Sequence, residues 1–245
     1  MAKTEVLYLL RKPVQCSLQV GGVKLKQVEK FQYLGVAFKS DGTQDEEMDI
    51  QIGKAGAVMY ALHRSVVMKR ELSQEAKLAV FRFIFVPILT FGHESWVMTE
   101  RMRLRVQASE MSFLRRIKRV TLLDKVCNSE IHNSLNVESL LLRLERSQLR
   151  WFGHVSRMPQ ERLPKQALSA IRNGKRPVGR PRLGWINHIE DLGWNRLGLS
   201  LSEMKEVVMD RCVWRQNLEL LPPRPSRKSG KYKRKNEKKN NRLSH

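Results

Sequence analysis

Phosphodiester chemistry with divalent metals needs carboxylates that converge on the ion, and covalent catalysis needs a Ser or Cys beside a His. Neither pattern is local in this sequence. The six histidines, at 63, 93, 132, 154, 188 and 245, are scattered, and His93 near Ser95 lacks any nucleophile-elbow signature. Cys127 with His132 is too sparse for zinc; Cys16, Cys127 and Cys212 are far apart and read as free thiols of a reducing compartment. No catalytic residue, metal ligand or cofactor is assigned from these residues. Chemistry concentrates instead in "LRWFGHVSRM", Leu149 to Met158, where two aromatics and a histidine lie between Arg150 and Arg157. Leu141, Leu144, Gln148, Trp151, Phe152, Val155 and Met158 fall on one side of a helix, which predicts a core stripe. Arg150 and Arg157 would then form its rim and meet phosphates, with His154 structural or phosphate-contacting.

Charge points the same way. Forty-six Lys and Arg oppose 24 Asp and Glu, a net charge of +22 and a pI near 10.4. Such an excess implies a polyanionic partner. A membrane is not that partner: the longest apolar candidate, Leu78 to Phe91, is short and carries Arg82 and Pro87. The N-terminus has no small-residue cleavage site of a signal peptide. In "RMRLRVQASEMSFLRRIKR", Arg101 to Arg119, seven Arg or Lys face one acid, Glu110. Val106, Phe113, Leu114 and Ile117 can face a core. Arg115, Arg116, Lys118 and Arg119 would face outwards and track phosphates, or form a merely solvated face. In "NGKRPVGRPRLGW", Asn173 to Trp185, prolines and glycines hold Lys175, Arg176, Arg180 and Arg182 extended and unpaired. A flexible basic linker explains that loop equally well, and its Gly-Arg-Pro tripeptide is similar to an AT-hook core.

The elements that carry these groups are predicted as mainly α, behind a small N-terminal β element. "TEVLYLL" is a short apolar run, "CSLQVGGVKL" a hairpin about Gly21-Gly22, and "FQYLGVAF" one strand closed by Ser40-Asp41-Gly42. Met48, Ile52, Ala55, Met59, Leu62 and Val66 then mark a helix whose first turn holds Asp45, Glu46 and Glu47, where the dipole favours acids. A second helix starts at Ser73, is apolar nearly all round and hence buried, and bends or ends at Pro87. A third spans Thr99 to Arg119. A fourth, capped at Asn136, carries "LRWFGHVSRM". From Arg224 to His245 ten basic residues face one acid, a disordered tail whose "KYKRKNEKK" could direct nuclear import. The units read as a β element over 1–43, a helical domain over 44–160, a basic loop with further helices over 161–221, and the tail over 222–245.

Six blocks, in order, resemble the reverse transcriptase polyproteins of non-LTR (LINE-type) retrotransposons. "KTEVL" (Lys3–Leu7) looks like the strand after the polymerase's catalytic hairpin. "VEKFQYLGVAFKSDGT" (Val28–Thr43) is similar to the primer-grip hairpin, with Phe31, Tyr33, Leu34 and Gly35 at its F-x-Y-L-G. "LTFGHESW" (Leu89–Trp96) resembles L-x-Y-G-S-E-x-W, with Phe91 and His93 in place of Tyr and Ser. "LRWFGHVSRM" matches R-W-x-G-H-V-x-R-M, followed by "RLPKQAL"; "GKRPVGRPRLGW" and "DRCVWR" (Asp210–Arg215) are similar to the distal blocks.

The resemblance implies the end of a palm, a thumb and the region beyond it. It also implies that the aspartate pair holding magnesium belongs before "KTEVL", so magnesium is expected only in the full-length family enzyme. The leading expectation is a truncated reverse transcriptase fragment, inactive alone, that binds RNA or an RNA–DNA duplex, in the nucleus or in a cytoplasmic ribonucleoprotein. A domesticated DNA- or chromatin-binding protein, or a decayed reading frame, are the alternatives. The catalytic half or another protein is expected to cover the exposed sheet edge.

Overall fold

The computed structural model describes residues 4–8, 17–40, 42, 44–170 and 183–222. Three strand pairs open the chain. β1 (Glu5–Leu7) runs parallel to β4 (Lys26–Val28), and β2 (Gln19–Val20) pairs antiparallel with β3 (Val23–Lys24) across Gly21-Gly22. β5 (Lys30–Tyr33) and β6 (Val36–Lys39) are antiparallel too, with Leu34 and Gly35 at φ 49° and 84° between them. The stretch Phe31–Phe38, read as one strand from its aromatics, is thus a hairpin. Two consecutive left-handed residues match the twist of the flanking strands, and glycine supplies one of them without steric cost. Among the described residues each strand has a single partner, so the pairs do not merge into a larger sheet.

Helix α1 (Asp45–Leu62) begins with the predicted acids, and one of them does more than answer the dipole. The buried Glu47 carboxylate accepts the Ala37 N–H at 2.6 Å and Gln51 Nε2–H at 2.6 Å, which ties β6 to the helix. A π-helical turn, His63–Val67, follows. α2 (Gln74–Val80), a π-helical segment at Phe81–Phe85 and α3 (Val86–Leu89) then run on without a break, capped by the Ser73 hydroxyl accepting the Ala76 N–H. The Val86 N–H bonds to the Phe81 carbonyl, five residues back. Pro87 therefore falls in the first turn of α3, where its missing N–H costs nothing, and it does not end the element. Nor is this rod buried all round. Phe81, Phe85, Val86 and Leu89 are in the core, whereas Phe83 is 78% exposed and Ile84 40%.

α4 (Glu100–Lys118) is capped by the Thr99 hydroxyl on the Met102 N–H and closed by Arg119 at φ 60°. These are the bounds its sequence predicts. α5 (Asn128–Leu135) is closed by Asn136 at φ 48°, and α6 (Leu140–Ser156) starts with Ser139 at its N-cap. Asn136 thus ends one helix instead of opening the next; asparagine tolerates the left-handed conformation that such a stop requires. α7 (Leu163–Ser169), α8 (Trp185–Leu197), α9 (Leu201–Val207) and α10 (Arg211–Glu219) complete the described chain. The fold is mainly α behind a small β element.

Two hydrophobic cores meet in α6. Met48, Phe85, Trp96, Phe113 and Ile131 pack in the first with Leu140, Leu141 and Leu144; Ile189, Leu192, Met204, Trp214 and Leu218 pack in the second with Leu142, Leu149 and Phe152. The boundary read at 160 falls just past this shared helix. Polar side chains set its position between the cores. Glu145, only 3% exposed, lies 2.9 Å from Arg196 and 3.7 Å from Arg103. Gln148 Nε2 donates to the carbonyls of His93 (2.9 Å) and Trp96 (2.8 Å), and its Oε1 accepts from His188 Nε2 at 2.9 Å. Burial, and then Arg103, pushes His188 down to about 4, so it stands neutral and donates from Nε2. Burial raises the Glu145 carboxyl, opposed by Arg196 and Arg103.

Candidate nucleic-acid interface

Helical spacing puts Ser147, Arg150, Trp151, His154 and Arg157 along one face of α6, and Arg211, Trp214, Arg215 and Leu218 along one face of α10. Together they line a cleft of about 770 Å³. Their contact depends on a glycine. A Cβ on Gly153 would lie 2.4 Å from Trp214 Nε1, so only a residue without a side chain lets the helices approach this closely. Trp214 Nε1–H donates to the Leu149 carbonyl at 3.2 Å, and its ring meets Phe152 edge-on at 6.4 Å. Trp214 and Leu218 are the buried floor.

Four guanidinium groups line the cleft, against the two carboxylates Glu94 and Glu219. Arg157 is held by the Val208 carbonyl at 2.8 Å, and Arg215 pairs with Glu219 at 2.9 Å. Arg150 and Arg211 make no hydrogen bond or ion pair among the described residues. Arg211 is presented at the first turn of α10, which Asp210 caps by accepting the N–H groups of Cys212 (2.8 Å) and Val213 (3.0 Å). Free guanidinium donors above an apolar floor can grip phosphate oxygens in a fork geometry. The sequence places Trp151 in the core, but it is 38% exposed beside His154, ring centroids 5.5 Å apart at 41°. The periodic argument assumes that a buried face runs the length of the helix. The first core takes Leu140, Leu141 and Leu144 and reaches no further along α6, so Trp151, on the same side of the helix two turns on, has no core to enter.

The basic face expected on α4 is mostly spent internally. Arg115 donates to the Val126 carbonyl (3.0 Å) and Asn128 Oδ1 (2.8 Å), which holds the loop before α5. Arg116 reaches Ser112 Oγ and Met59 Sδ, both at 2.8 Å. Arg103 joins Glu145 and the Met98 carbonyl, and Arg105 pairs with Asp49. Even the acid of this helix is internal: buried Glu110 accepts from His132 Nε2 (3.0 Å) and the Leu140 N–H (2.8 Å). Arg115 and Arg116 are therefore half-buried and already partnered inside the molecule, because α4 packs against α1, α5 and α6 and the surrounding carbonyls need donors. Lys118 and Arg119 are exposed at the end of α4, away from the α6–α10 cleft.

The primer-grip-like residues sit elsewhere again. Phe31 is half-buried, Tyr33 and Leu34 are exposed at the hairpin tip, and a Cβ on Gly35 would lie 3.3 Å from the Phe91 ring. Lys175, Arg176, Arg180 and Arg182, like the basic tail from 223, lie outside the described residues. Among the described residues no group of three or more His, Cys, Asp or Glu is placed to share a metal ion, and no helix is long and apolar enough to cross a membrane.

The chain matches no protein-family model, no curated protein and no solved structure.

Three of the six sequence blocks line the cleft. "LTFGHESW" supplies Glu94 to the rim of the cleft, "LRWFGHVSRM" one wall and "DRCVWR" the other. Trp185, the last residue of "GKRPVGRPRLGW", donates from Nε1 to the Glu94 carbonyl at 2.8 Å. Arg211, Arg215 and Trp151 are binding candidates that the sequence reading misses, whereas His154 is already a phosphate-contacting candidate there. Their signal was the matched three-four spacing of Arg-Trp-His on α6 and Arg-Trp-Arg on α10.

Proposed function

We propose that this chain binds nucleic acid through the α6–α10 cleft, as the thumb-side part of a reverse transcriptase of the non-LTR type, and that these residues hold a strand without extending it. The observation that carries this proposal is the meeting of two separate arginine-bearing blocks on one cleft, with Arg150 and Arg211 unpaired among the described residues of a chain of net charge +22. Guanidinium groups left without internal partners are available to phosphates. Each phosphate neutralised releases counterions, so affinity falls as salt rises.

The test is titration of the full chain with an RNA–DNA hybrid, a DNA duplex and single strands across a salt series. Arg150→Ala and Arg211→Ala should each weaken binding and lower the slope of log affinity against log salt by about 0.7–0.9. Unchanged slopes in both variants would remove the cleft from the interface. Primer extension with the same protein should show no nucleotide incorporation; incorporation would overturn the noncatalytic part of the proposal.

A further inference from the structure

The cleft contains a feature that phosphate binding alone does not require. Trp151 lines it at 38% exposure, and His154 lies against it one turn along α6. An exposed tryptophan is costly to leave in water, and this one is neither in a core nor hydrogen-bonded through its ring nitrogen among the described residues. Arg150 and Arg157 flank it on α6, and Arg211 and Arg215 face it from α10. An aromatic face inside a ring of guanidinium groups is the arrangement that holds an unpaired nucleotide, with the base on the ring and its phosphates on the cations.

Paired bases cannot use such a platform, because in a duplex each base face is already covered by its neighbours. The concave shape also argues for one strand. Arg150 and Arg211 line the same cleft from different helices, so a single backbone lying in it is within reach of both. The floor of Trp214 and Leu218 is apolar and offers no hydrogen-bond donors beyond those already used, which suits a base face and gives no sequence readout.

The geometry points to this cleft as a single-strand site, in which an unpaired base of RNA or DNA stacks on Trp151 while Arg150 and Arg211 hold the adjoining phosphates. This rests on the nucleic-acid-binding function proposed above and names the form of nucleic acid that the cleft takes. Because every base has a π-face, the site accepts any sequence, and because stacking adds to charge, it distinguishes strands that carry bases from strands that do not.

The experiment compares three labelled probes of equal length, about a dozen nucleotides: an oligothymidylate, an abasic sugar-phosphate strand, and a hybrid duplex. Each is titrated by anisotropy into the full chain at fixed salt. The wild-type protein should prefer the oligothymidylate to the abasic strand by about tenfold. Trp151→Ala should abolish that preference and leave abasic-strand and duplex binding within about twofold, while Trp151→Phe keeps most of it. Arg150→Ala should weaken all three probes. If Trp151→Ala leaves the preference intact while Arg150→Ala still weakens binding, stacking is overturned and the phosphate cleft stands. If Trp151→Ala weakens all three probes alike, the indole supports the shape of the cleft and stacking is again overturned. If neither variant changes binding to any probe, the cleft itself is not the nucleic-acid site.

Discussion

Two basic helices of this protein look alike in sequence and differ in use. Four of the five arginines of α4, at 103, 105, 115 and 116, reach partners inside the molecule: carboxylates, loop carbonyls, a hydroxyl and a thioether. The α6–α10 pair presents Arg150 and Arg211 with no partner among the described residues, and holds Arg157 and Arg215 by single contacts at the cleft edge. Arginine density alone therefore says little about where a polyanion docks. What matters is whether neighbouring elements leave carbonyls and carboxylates in need of donors. α4 is hemmed in by such groups; the α6–α10 cleft has an apolar floor and few of them.

This contrast can be broken at its anchor. Glu145 sits between half-buried Arg103 and buried Arg196 where α4, α6 and α8 approach, so Glu145→Ala should leave both without their carboxylate and cost about 3–5 kcal/mol by urea unfolding. A loss below about 1 kcal/mol would mean that the trio is solvated and that α6 is not fixed in this way. Acid should act on the same helix through His188. Its folded-state value near 4 lies below the ordinary 6.5, so the unfolded chain binds a proton that the folded chain refuses. The stability from this group is complete above pH 6.5 and is lost as pH falls towards 4, by up to about 3 kcal/mol. His188→Gln should flatten that part of the stability–pH curve; an unchanged curve would assign the acid sensitivity to other groups.

A third variant tests the cleft wall. Gly153→Ala places a methyl group against Trp214 and should cost about 1–3 kcal/mol, with Trp214→Phe restoring part of it in the double variant. Independent effects would show that the two residues do not touch. The smallest change is also the sharpest comparison. Arg115→Ala should destabilise by about 1–3 kcal/mol, because the Val126 carbonyl and Asn128 lose their donor, and should leave the salt slope of binding alone. Arg150→Ala should do the reverse: stability within about 0.5 kcal/mol and a shallower slope. The same outcome for both would erase the distinction between fastened and free arginines.

Several local features were legible from the residues alone. Ser73 and Thr99 cap helices where a hydroxyl precedes an apolar-periodic run, and Gly21-Gly22 turns a hairpin, because each is decided by atoms within a few residues. Asn136 misled because its side chain suits either end of a helix, and only the path of the following chain shows which. Leu34-Gly35 misled because aromatic residues on both sides mimic one continuous strand. Phe83 and Ile84 misled because apolar composition does not say which side of a helix has a neighbour. At the cleft, the arginines of "LRWFGHVSRM" were legible as a rim. Arg211 and Arg215, about sixty residues further on, were not, since nothing local joins α10 to α6.

The sequence by itself determined the charge balance and most of the elements: net charge is a sum over residues, and helix caps are short-range hydrogen bonds. It could not determine which arginines stay free. That is a property of distance between segments far apart in the chain, set when Gly153 admits Trp214 and when Glu145, Gln148 and His188 fix α6 between two cores. Trp151 follows the stripe of Leu140 and Leu144 but lies past the end of the first core, and only packing in three dimensions decides how far along a helix a core extends.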